Sequence, residues 1–476
     1  MKLRNRILAG TGLVVVVAVA ALVLVLGYTA PCEPAPGLSA ESTAMKAIDY
    51  RCYGSPEVLA LEDVEKPAPA DGEVLVKVHA ASVNPLDWHY MRGSPYIMRL
   101  ESGIGRPKVT RLGVDFSGTV EAVGASVTRF KPGDEVFGGR TGAFGEYIPV
   151  REDRGIASKP ANVSFAEAAA VPIAGVTALQ AVRDKGKVEA GQKVLINGAS
   201  GGVGTFAVQI AKSFGAEVTG VCSERNVEMV RSLGGDHVID YGTEDFTAGE
   251  QRYDVIIDMV GNHPLSALRD VLVPGGIVVM VGGPPGDWLG PLINPLKALF
   301  VNPFIDEHFS FFVATMDRDD LGLLADLMAE GKITPVIDRH YPLSEVPDAI
   351  AYSEKGRARG KIIIDVQPPA RNPWTDAAKR GVSFRALGNE PFWSLEIAPG
   401  RLTMITDSGQ RRTERSYEEP VVEGATTTYR SLADDGEIVA VIERSPCTDS
   451  MSGEAFEATA TVMFGGTTYR GCGRFL

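Results

Sequence analysis

The sequence predicts an α/β protein in which a β-rich block is followed by a doubly wound parallel sheet and then by a small all-β domain. Three observations predict this order. Residues 45–171 contain short β segments bounded by turn residues. From residue 172, strand-like and helical segments alternate regularly, which is typical of a parallel sheet with helices on both faces. From residue 383 the chain returns to a β pattern rich in Thr, Tyr and Gly.

One transmembrane helix is predicted ahead of these domains, over residues 7–28. Three basic residues among the first six precede an uncharged apolar stretch that runs to Gly27. This stretch is long enough to cross a bilayer, whereas a secretory signal has a shorter apolar core and a small-residue cleavage site. Pro31 makes Cys32 a poor cleavage or lipidation site. We therefore expect an uncleaved anchor rather than a cleaved signal.

The flanks of the anchor predict its orientation. Basic residues tend to stay in the cytoplasm, which places the remaining chain on the outer face of the membrane. Large domains can escape this tendency, so the inverted topology stays open. Residues 29–44 are rich in proline and form a short, stiff tether in this interpretation.

The size and the net charge of the chain limit the number of domains and the classes of partner that it can have. A chain of 476 residues has room for two or more domains, and 45% hydrophobic with 22% charged residues is ordinary for a globular protein. The net charge of −13 argues against a nucleic-acid partner, because binding to phosphates needs a basic face.

The β-rich block has the expected period-2 pattern. Glu73–Ala80 alternates in the manner of a strand, and the sequence K-P-G-D at residues 131–134 marks a tight turn before the next strand. The later parallel sheet is predicted from strand-like runs at Val194–Asn197, Val218–Val221, Val238–Asp240, Val255–Met259 and Ile277–Val281. A helix at Arg318–Glu330 and a last strand at Lys361–Val366 follow.

A glycine-rich turn carries the strongest chemical signal. The run Val194–Ile196 precedes Gly198, Gly201, Gly202 and Gly204, and a helix pattern over Thr205–Phe214 follows. A second strand, Glu217–Val221, comes at the distance that a dinucleotide unit needs. Bare backbone N–H groups and a helix N-terminus suit a pyrophosphate, so we expect a bound dinucleotide.

The end of the second strand indicates which dinucleotide is bound. A carboxylate there would accept the ribose hydroxyls of NAD and repel a 2′-phosphate. This chain has Ser223 and Arg225 instead, which favours NADP(H). Two alternatives stay open. Glu224 would weaken the preference for NADP(H) if its side chain pointed into the site, and Arg225 would be an ordinary surface cation if its side chain pointed away from the site.

The motifs together resemble the medium-chain dehydrogenase/reductase superfamily over residues 45–367. The matching segments are A-A-S-V-N-P-L-D from Ala80, G-V-D-F-S-G-T-V from Gly113, K-P-G-D-E-V from Lys131 and A-S-G-G-V-G from Ala199. The resemblance implies a GroES-like catalytic domain at 45–171, completed by 313–367, and a Rossmann domain at 172–312. The branch it resembles is the zinc-free quinone oxidoreductases and enone reductases, which use NADPH.

The resemblance makes it possible to ask whether this chain has the ligands for a zinc ion. Zinc-dependent members carry ligands where Asn84, Val114-Asp115 and Ile173 stand. A catalytic zinc needs three N, S or O ligands within tetrahedral reach, and these residues do not supply them. The four-cysteine structural lobe is also missing, because no cysteine lies between Cys52 and Cys222. We expect no zinc here and hence reduction of an activated acceptor, a quinone or an enone, rather than alcohol oxidation.

The resemblance also assigns roles to residues. Asn84 would lie beside the nicotinamide and donate to the acceptor oxygen, or else be a satisfied turn asparagine before proline. Tyr96 or water would supply the proton. The cofactor contacts would be Asn84, Thr177, Ser200, Gly201, Gly202, Val203, Gly204, Ser223, Arg225, Tyr241, Val260, Gly261, Gly282, Gly283 and Lys361, with Tyr241 and Lys361 helping at the 2′-phosphate. Residues 284–312 are rich in Pro, Trp, Leu and Phe, so they would form a lid over an apolar substrate or a subunit interface. Separately, the resemblance implies a homodimer through the Rossmann sheet.

The C-terminal block, residues 383–476, resembles a small β-domain family of bacterial envelope proteins. The resemblance rests on G-N-E-P-F-W from Gly388, C-T-D-S-M-S-G from Cys447, and Gly471-Cys472-Gly473. Cys447 and Cys472 would form a disulfide in an oxidising compartment, or stay buried thiols in a reducing one. The rival to the reductase is thus a non-catalytic envelope protein that binds or senses a ligand on a dehydrogenase scaffold.

Overall fold

The computed structural model describes residues 20–38, 43–284, 286–288, 290–367, 373–389, 392–406, 411–431, 436–449 and 455–476. The chain divides into two compact units, Met1–Pro368 and Pro369–Leu476. The first unit holds the β-rich block and the parallel sheet, and the second is largely a β domain.

The β-rich part of the first unit is built around one mixed sheet. The described strands of this part are β1 (Ala44–Asp49), β2 (Ala60–Glu65), β3 (Glu73–Val83), β4 (Asp115–Val123), β5 (Glu135–Gly139), β6 (Tyr147–Arg151), β7 (Ile156–Ser158), β14 (Ile337–Pro342) and β15 (Lys361–Asp365). The order is β14-β15-β3-β4-β5-β7, with β6 also paired to β3. The late strands β14 and β15 thus belong to the sheet of the β-rich part.

The parallel sheet has the order β10-β9-β8-β11-β12-β13 in the described residues. Its strands are β8 (Lys193–Asn197), β9 (Glu217–Cys222), β10 (His237–Asp240), β11 (Tyr253–Asp258), β12 (Leu272–Met280) and β13 (His308–Phe311). Every pair is parallel. The order reverses beside β8, and ligands of such sheets bind at the carboxyl ends of the strands near that switch. The doubly wound sheet predicted from the alternating pattern is confirmed.

Helices cover this sheet and link the two parts. The described helices of the first unit are α1 (residues 20–27), α2 (Pro85–Arg92), α3 (Arg99–Ser102), α4 (Phe165–Ala169), α5 (Pro172–Leu179), α6 (Gly202–Ser213), α7 (Val227–Ser232), α8 (Leu265–Asp270), α9 (Ile293–Val301), α10 (Arg318–Ala329) and α11 (Val346–Glu354). Helix α6 packs its apolar residues into the core, where Phe206, Ala207 and Ile210 are fully buried.

The second unit is a largely antiparallel domain. Its described strands are β16 (Phe384–Asn389), β17 (Phe392–Ala398), β18 (Arg401–Thr406), β19 (Arg411–Ser416), β20 (Val421–Glu423), β21 (Thr426–Ser431), β22 (Ile438–Glu443), β23 (Cys447–Thr448), β24 (Ala455–Phe456), β25 (Ala458–Phe464) and β26 (Thr467–Phe475). One described helix, α12 (Pro373–Lys379), precedes them, so the unit is not purely β.

Two features of the predicted C-terminal motifs are visible in this unit. Gly388 pairs with Trp393, and a Cβ at Gly388 would lie 2.2 Å from the indole nitrogen, so only glycine fits there. Cys447 and Cys472 are joined in a disulfide with Cα atoms 5.5 Å apart. Residues 390, 391 and 450–453 of the motifs lie outside the described residues.

The predicted membrane anchor lies mostly outside the described residues, which begin at residue 20. Within the part of the chain that the structure describes, no helix combines the length and the apolar character needed to cross a bilayer. The single-pass anchor over residues 7–28 therefore stays a prediction.

The tether, predicted as short and stiff, lies with its described residues 30 and 32 against the β-rich part. The Ala30 amide donates to the carbonyl of Gly105 at 2.8 Å. Cys32 forms a disulfide with Cys52, with Cα atoms 4.7 Å apart. The spacing of the cysteines did not reveal this pair, because the sequence gives no distance between the tether and the domain.

Candidate active site

A cleft of about 920 Å³ opens in the first unit at the carboxyl ends of β8 and β9. Its walls come from distant parts of the chain, which are residues 83–85, the two strand ends with the turn between them, residues 241–246, residues 259–263 and residues 353–362, together with Ala174. Gly201 and Gly360 form a bridge across the cleft, and the Gly360 amide donates to the Ser200 carbonyl at 3.0 Å. The glycine-rich turn and the last strand of the β-rich part thus meet.

The glycine-rich turn has the shape of an anion cradle. Gly198 has φ +89°, a conformation that side chains rarely adopt. A Cβ at Gly204 would lie 2.1 Å from the Gly198 carbonyl oxygen, so the helix approaches the turn this closely only because residue 204 is glycine. Gly201 caps α6, whose first N–H groups have no intrahelical partner and point into the cleft. Ser200, Gly202 and Val203 line the same wall.

The end of β9 supplies polar side chains to the other end of the cleft. Ser223, Arg225 and Tyr241 line it, and Arg225 donates to the carbonyl of Arg357 at 2.9 Å. Glu224 is exposed and does not line the cleft in the described residues. Glu224 therefore does not point into the site, and the alternative in which it repels a 2′-phosphate does not apply.

Asn226 is a residue of this site that sequence reasoning missed. It is 4% exposed and lines the cleft. Its amide nitrogen donates to the hydroxyls of Ser200 and Ser223, at 3.0 and 3.1 Å. Its amide oxygen is buried without a hydrogen-bond partner. Its position, three residues after Ser223 in the same turn, could have suggested a place at the site. Nothing in the sequence, however, shows that the Asn226 side chain points towards the cleft.

Asn84 stands at the opposite end, in a buried cluster with two charged residues. Its amide nitrogen donates to Asp115 Oδ2 at 2.9 Å, and the Lys361 ammonium donates to its amide oxygen at 2.7 Å. Lys361 also donates to Asp115 Oδ2 and to the Val83 carbonyl, each at 3.2 Å. Lys361 is 3% exposed and Asp115 is fully buried. Such a buried pair holds its geometry firmly because separating it would leave an uncompensated charge.

The place of Lys361 differs from the sequence prediction, which grouped it with the 2′-phosphate residues. The buried Asp115 carboxylate needs a cation and further donors, and Lys361 provides the cation. Ser82 and the Ile173 amide add hydrogen bonds to Asp115, at 2.8 and 2.9 Å. Lys361 therefore belongs to the Asn84 end of the cleft.

Asp87 fixes the backbone at Asn84. One of its carboxylate oxygens accepts a hydrogen bond from the backbone N–H of Asn84 at 2.7 Å, and the other accepts one from the backbone N–H of Gly113 at 3.1 Å. Burial raises the pKa of the Asp87 carboxyl to about 7, and the nearby Asp115 acts in the same direction. The two backbone N–H donors and Lys361 act in the opposite direction. The role of this residue was also missed, because its place in the motif does not reveal that it is buried.

The positions at which zinc-dependent members carry ligands, those of Asn84, Asp115 and Ile173, lie close together in this structure. Asn84 and the Ile173 amide both bond to Asp115, and Lys361 stands among them. Within the described residues, no group of three or more His, Cys, Asp or Glu side chains is placed to hold a metal ion. What the site presents at this point is an amide, a carboxylate and an ammonium.

Several predicted residues lie away from the lining of the cleft in the described chain: Thr177 on α5, Tyr96, Gly261, Gly282 and Gly283. The Tyr96 ring packs against Trp288, with centroids 4.8 Å apart, and against the Arg99 guanidinium. Gly282 packs against β11, since a Cβ there would lie 2.0 Å from the Met259 carbonyl oxygen. Val260 does line the cleft.

Asp258 organises the wall that carries Val260. Its Oδ1 accepts the amides of Val260 and Gly261 at 3.0 and 2.9 Å, and the side-chain amide of Asn197 at 2.9 Å. Asp258 is 2% exposed. This carboxylate fixes the loop after β11 to the end of β8, so the loop presents a defined surface to the cleft.

Comparisons with known proteins agree with this geometry. Two family models match: alcohol dehydrogenase GroES-like domain over residues 70–181, and zinc-binding dehydrogenase over residues 233–364. The chloroplast envelope quinone oxidoreductase homolog of Arabidopsis thaliana is 34% identical, over 67% of this chain and 98% of that protein. The 2-methylene-furan-3-one reductase of Solanum lycopersicum is 36% identical, over 68% of this chain and 80% of that protein.

A solved structure extends the comparison to a bound cofactor. The crystal structure of the Escherichia coli quinone oxidoreductase complexed with NADPH matches with a TM-score of 0.59 and 26% identity. The match covers 67% of this chain and 99% of that one. These three matches leave about a third of this chain uncovered.

Proposed function

The chain belongs to the medium-chain dehydrogenase/reductase superfamily, in its branch of quinone oxidoreductases and enone reductases, and on that premise we propose that it reduces quinones or α,β-unsaturated carbonyls with NADPH and without a catalytic zinc. The observation that carries the proposal is the Asn84–Lys361–Asp115 cluster. It puts a hydrogen-bond donor backed by a cation where zinc-dependent members hold their metal.

The residues of the cleft fit NADP(H). The helix N-terminus and the glycine cradle suit the pyrophosphate. Ser223 and Arg225 offer a hydroxyl and a cation to a 2′-phosphate, and no carboxylate of the β9 turn faces them from inside the cleft. The buried, unpaired oxygen of Asn226 is an acceptor for a ribose hydroxyl. We therefore propose that these residues hold the adenosine half and that Asn84 and Val260 face the nicotinamide.

NADPH, when bound, supplies a hydride from its nicotinamide ring. The chain's own task is to orient the acceptor and to stabilise the oxygen that gains negative charge. An amide nitrogen carries two hydrogens, and Asp115 uses one hydrogen of Asn84. The second is available to the acceptor oxygen. The Lys361 ammonium draws electron density from the Asn84 amide oxygen, which makes the amide N–H a stronger donor.

The proton that completes the reduction comes from water in this proposal. Tyr96 was the alternative donor, but its ring lies between Trp288 and Arg99, away from the lining of the cleft. Water reaches the cleft from its open end, and the reduced acceptor takes up one proton after the hydride. No side chain then needs to change its protonation state in step with hydride transfer.

The location is also part of the proposal. We propose that residues 7–28 anchor the chain and that the two units lie on the outer face of the membrane. The basic N-terminal flank and the disulfides Cys32–Cys52 and Cys447–Cys472 support this side, because disulfides persist in oxidising compartments. A homodimer through the free edge of β13 stays a prediction, which sedimentation of the detergent-solubilised chain would test.

A turnover panel tests the function. The detergent-solubilised full chain is mixed either with NADPH and a set of quinones and enones or with NADP⁺ and simple alcohols, before and after treatment with a zinc chelator. We expect NADPH oxidation with quinones or enones that the chelator leaves unchanged, and no reaction of alcohols with NADP⁺. NADPH binding without turnover of any acceptor would instead support the non-catalytic ligand-binding protein.

A further inference from the structure

An exposed apolar face surrounds the point where the tether joins the β-rich part. We define the apolar face as Leu24, Val25, Tyr28, Leu100, Ile104 and Val109. All six side chains are at least 47% exposed, and Leu24 reaches 74%. Single exposed apolar residues are normal on a protein surface, but a contiguous group marks an interaction site.

Three contacts join the two halves of this face. The Arg99 guanidinium, beside Leu100, donates to the carbonyls of Leu26 and Tyr28 at 2.9 and 2.8 Å. Thr29 forms a bridge with Gly105, next to Ile104. The Tyr28 ring lies 3.2 Å from the position of a Cβ on Gly105, a tight contact, and Gly105 has φ +77°, a conformation that side chains rarely adopt. The tether and the domain therefore present one common surface.

Helix α1 adds a second observation. Of its described residues, Leu26 is buried against the domain, while Leu22, Val23, Leu24 and Val25 are exposed. A helix that is apolar on nearly all sides is not stable in water unless something covers it. The sequence before it, residues 7–19, is uncharged and apolar as well. A bilayer is the surroundings that suit such a sequence.

The polar residues around the face fit the bilayer surface. The segment from Arg99 to Arg111 carries the cations Arg106, Lys108 and Arg111 besides the buried Arg99, and one carboxylate, in a chain with a net charge of −13. Arg106 pairs with Glu33 of the tether. Basic side chains beside apolar ones at a membrane contact favour anionic lipid headgroups.

We propose that the apolar face inserts into the lipid interface, so that the β-rich part rests on the membrane in one orientation instead of swinging on a free tether. The Cys32–Cys52 disulfide and the Arg99 hydrogen bonds hold the tether in the position that creates the face. This inference rests on the anchor proposed above. It assigns a second, shallow membrane contact to the folded domain itself.

Fluorescence quenching in vesicles tests the proposal with the full chain. A polarity-sensitive dye is attached at Ile104→Cys, and at Glu228→Cys on α7 as the matched control, since Glu228 is strongly exposed. The native cysteines do not compete, because the described ones are in disulfides or, like Cys222, buried. The vesicles contain phosphatidylcholine and phosphatidylglycerol with spin-labelled lipids. Flotation first reports whether the chain binds them.

We expect the dye at position 104 to be quenched at least about twofold more than the dye at position 228. Adding Leu100→Glu and Val109→Glu should remove that difference, because carboxylates on the face oppose insertion. Equal weak quenching at both positions in floating vesicles overturns the membrane contact while leaving the anchor standing. A dye that is shielded from water but not quenched by the lipids overturns it too, and assigns the face to a second copy of the chain. Failure to float overturns both the anchor and the face.

Discussion

The ammonium of Lys361 donates a hydrogen bond of 2.7 Å to the side-chain oxygen of Asn84, across a sequence separation of 277 residues. The bond joins the last strand of the β-rich part to the motif that precedes α2. It is possible only because β15 lies next to β3 in the sheet, with Ile362 opposite Val83. The chain thereby places the Lys361 ammonium against the side-chain oxygen of Asn84, at the edge of the cleft.

Variants of Lys361 should show that its ammonium affects the stability of the fold and the rate of catalysis in two separate ways. Lys361→Met leaves the Asp115 carboxylate buried without a cation, which we expect to lower the free energy of unfolding by roughly 3–5 kcal/mol. The double variant Lys361→Met/Asp115→Asn removes both charges and should regain most of that loss. Its kcat should still fall by about tenfold to a hundredfold with little change in KM, because Asn84 has lost its polarising partner. Denaturant unfolding and steady-state kinetics measure the two effects. A double variant with the wild-type kcat would contradict the role of Lys361.

Two glycines of the same turn should respond differently to alanine. At Gly204 a Cβ would lie 2.1 Å from a backbone oxygen, so Gly204→Ala should cost about 2 kcal/mol or more in stability. At Gly201 the nearest atom would lie 3.5 Å away and φ is −81°, so the fold should tolerate Gly201→Ala. The added methyl group would instead occupy the anion cradle and weaken NADPH binding. Thermal unfolding with NADPH titration distinguishes them, and equal melting temperatures for the two variants would show that the close approach does not matter.

The cation of the β9 turn should set the preference between the two dinucleotides. Arg225→Gln should weaken NADPH binding by about tenfold to a hundredfold and leave NADH binding almost unchanged, because only NADPH has the 2′-phosphate. Arg231→Gln, on the neighbouring helix and also exposed, is the control and should change neither. Nicotinamide fluorescence titrations measure both constants. Equal losses for NADPH and NADH would remove Arg225 from the 2′-phosphate site.

Asp87 predicts a dependence of stability on pH. Its pKa in the folded protein is about 7, above the ordinary value, because the carboxyl is buried. Between pH ~4 and ~7 the unfolded chain releases this proton while the folded protein keeps it, so unfolding becomes more favourable as the pH rises. Relative to Asp87→Asn, the wild type should lose up to about 4 kcal/mol over that range and level off above it. Urea unfolding at several pH values measures this difference, and a constant difference would mean that Asp87 is ionised throughout.

The sequence predicted the parts of the site that depend on local geometry. The strand, the glycine turn and the helix follow each other within one unit, so the cradle of Gly201 and Gly204 could be placed from spacing alone. The matching β-rich motifs also placed Asn84 at the cleft. Both predictions concern residues whose positions are set by neighbours in the chain.

The missed features depend on contacts between distant segments. Lys361 was assigned to the 2′-phosphate because the sequence does not show that β15 pairs with β3 and turns its side chain to Asp115. Asn226 and Asp87 received no role from the sequence, because only the packing around them shows that they are buried. The Cys32–Cys52 disulfide was missed for the same reason, since a proline-rich tether has no predictable partner.

The most direct test of the central claim follows the hydride itself. NADPH carrying deuterium at both hydrogen positions of C4 of the nicotinamide is incubated with the chelator-treated full chain and an enone, and the product is analysed by mass spectrometry and NMR. The account predicts one deuterium at the β-carbon of the product and a proton from water at the α-carbon. Reduction without transfer of the label, or loss of reduction when zinc is removed, would contradict a zinc-independent hydride transfer from NADPH.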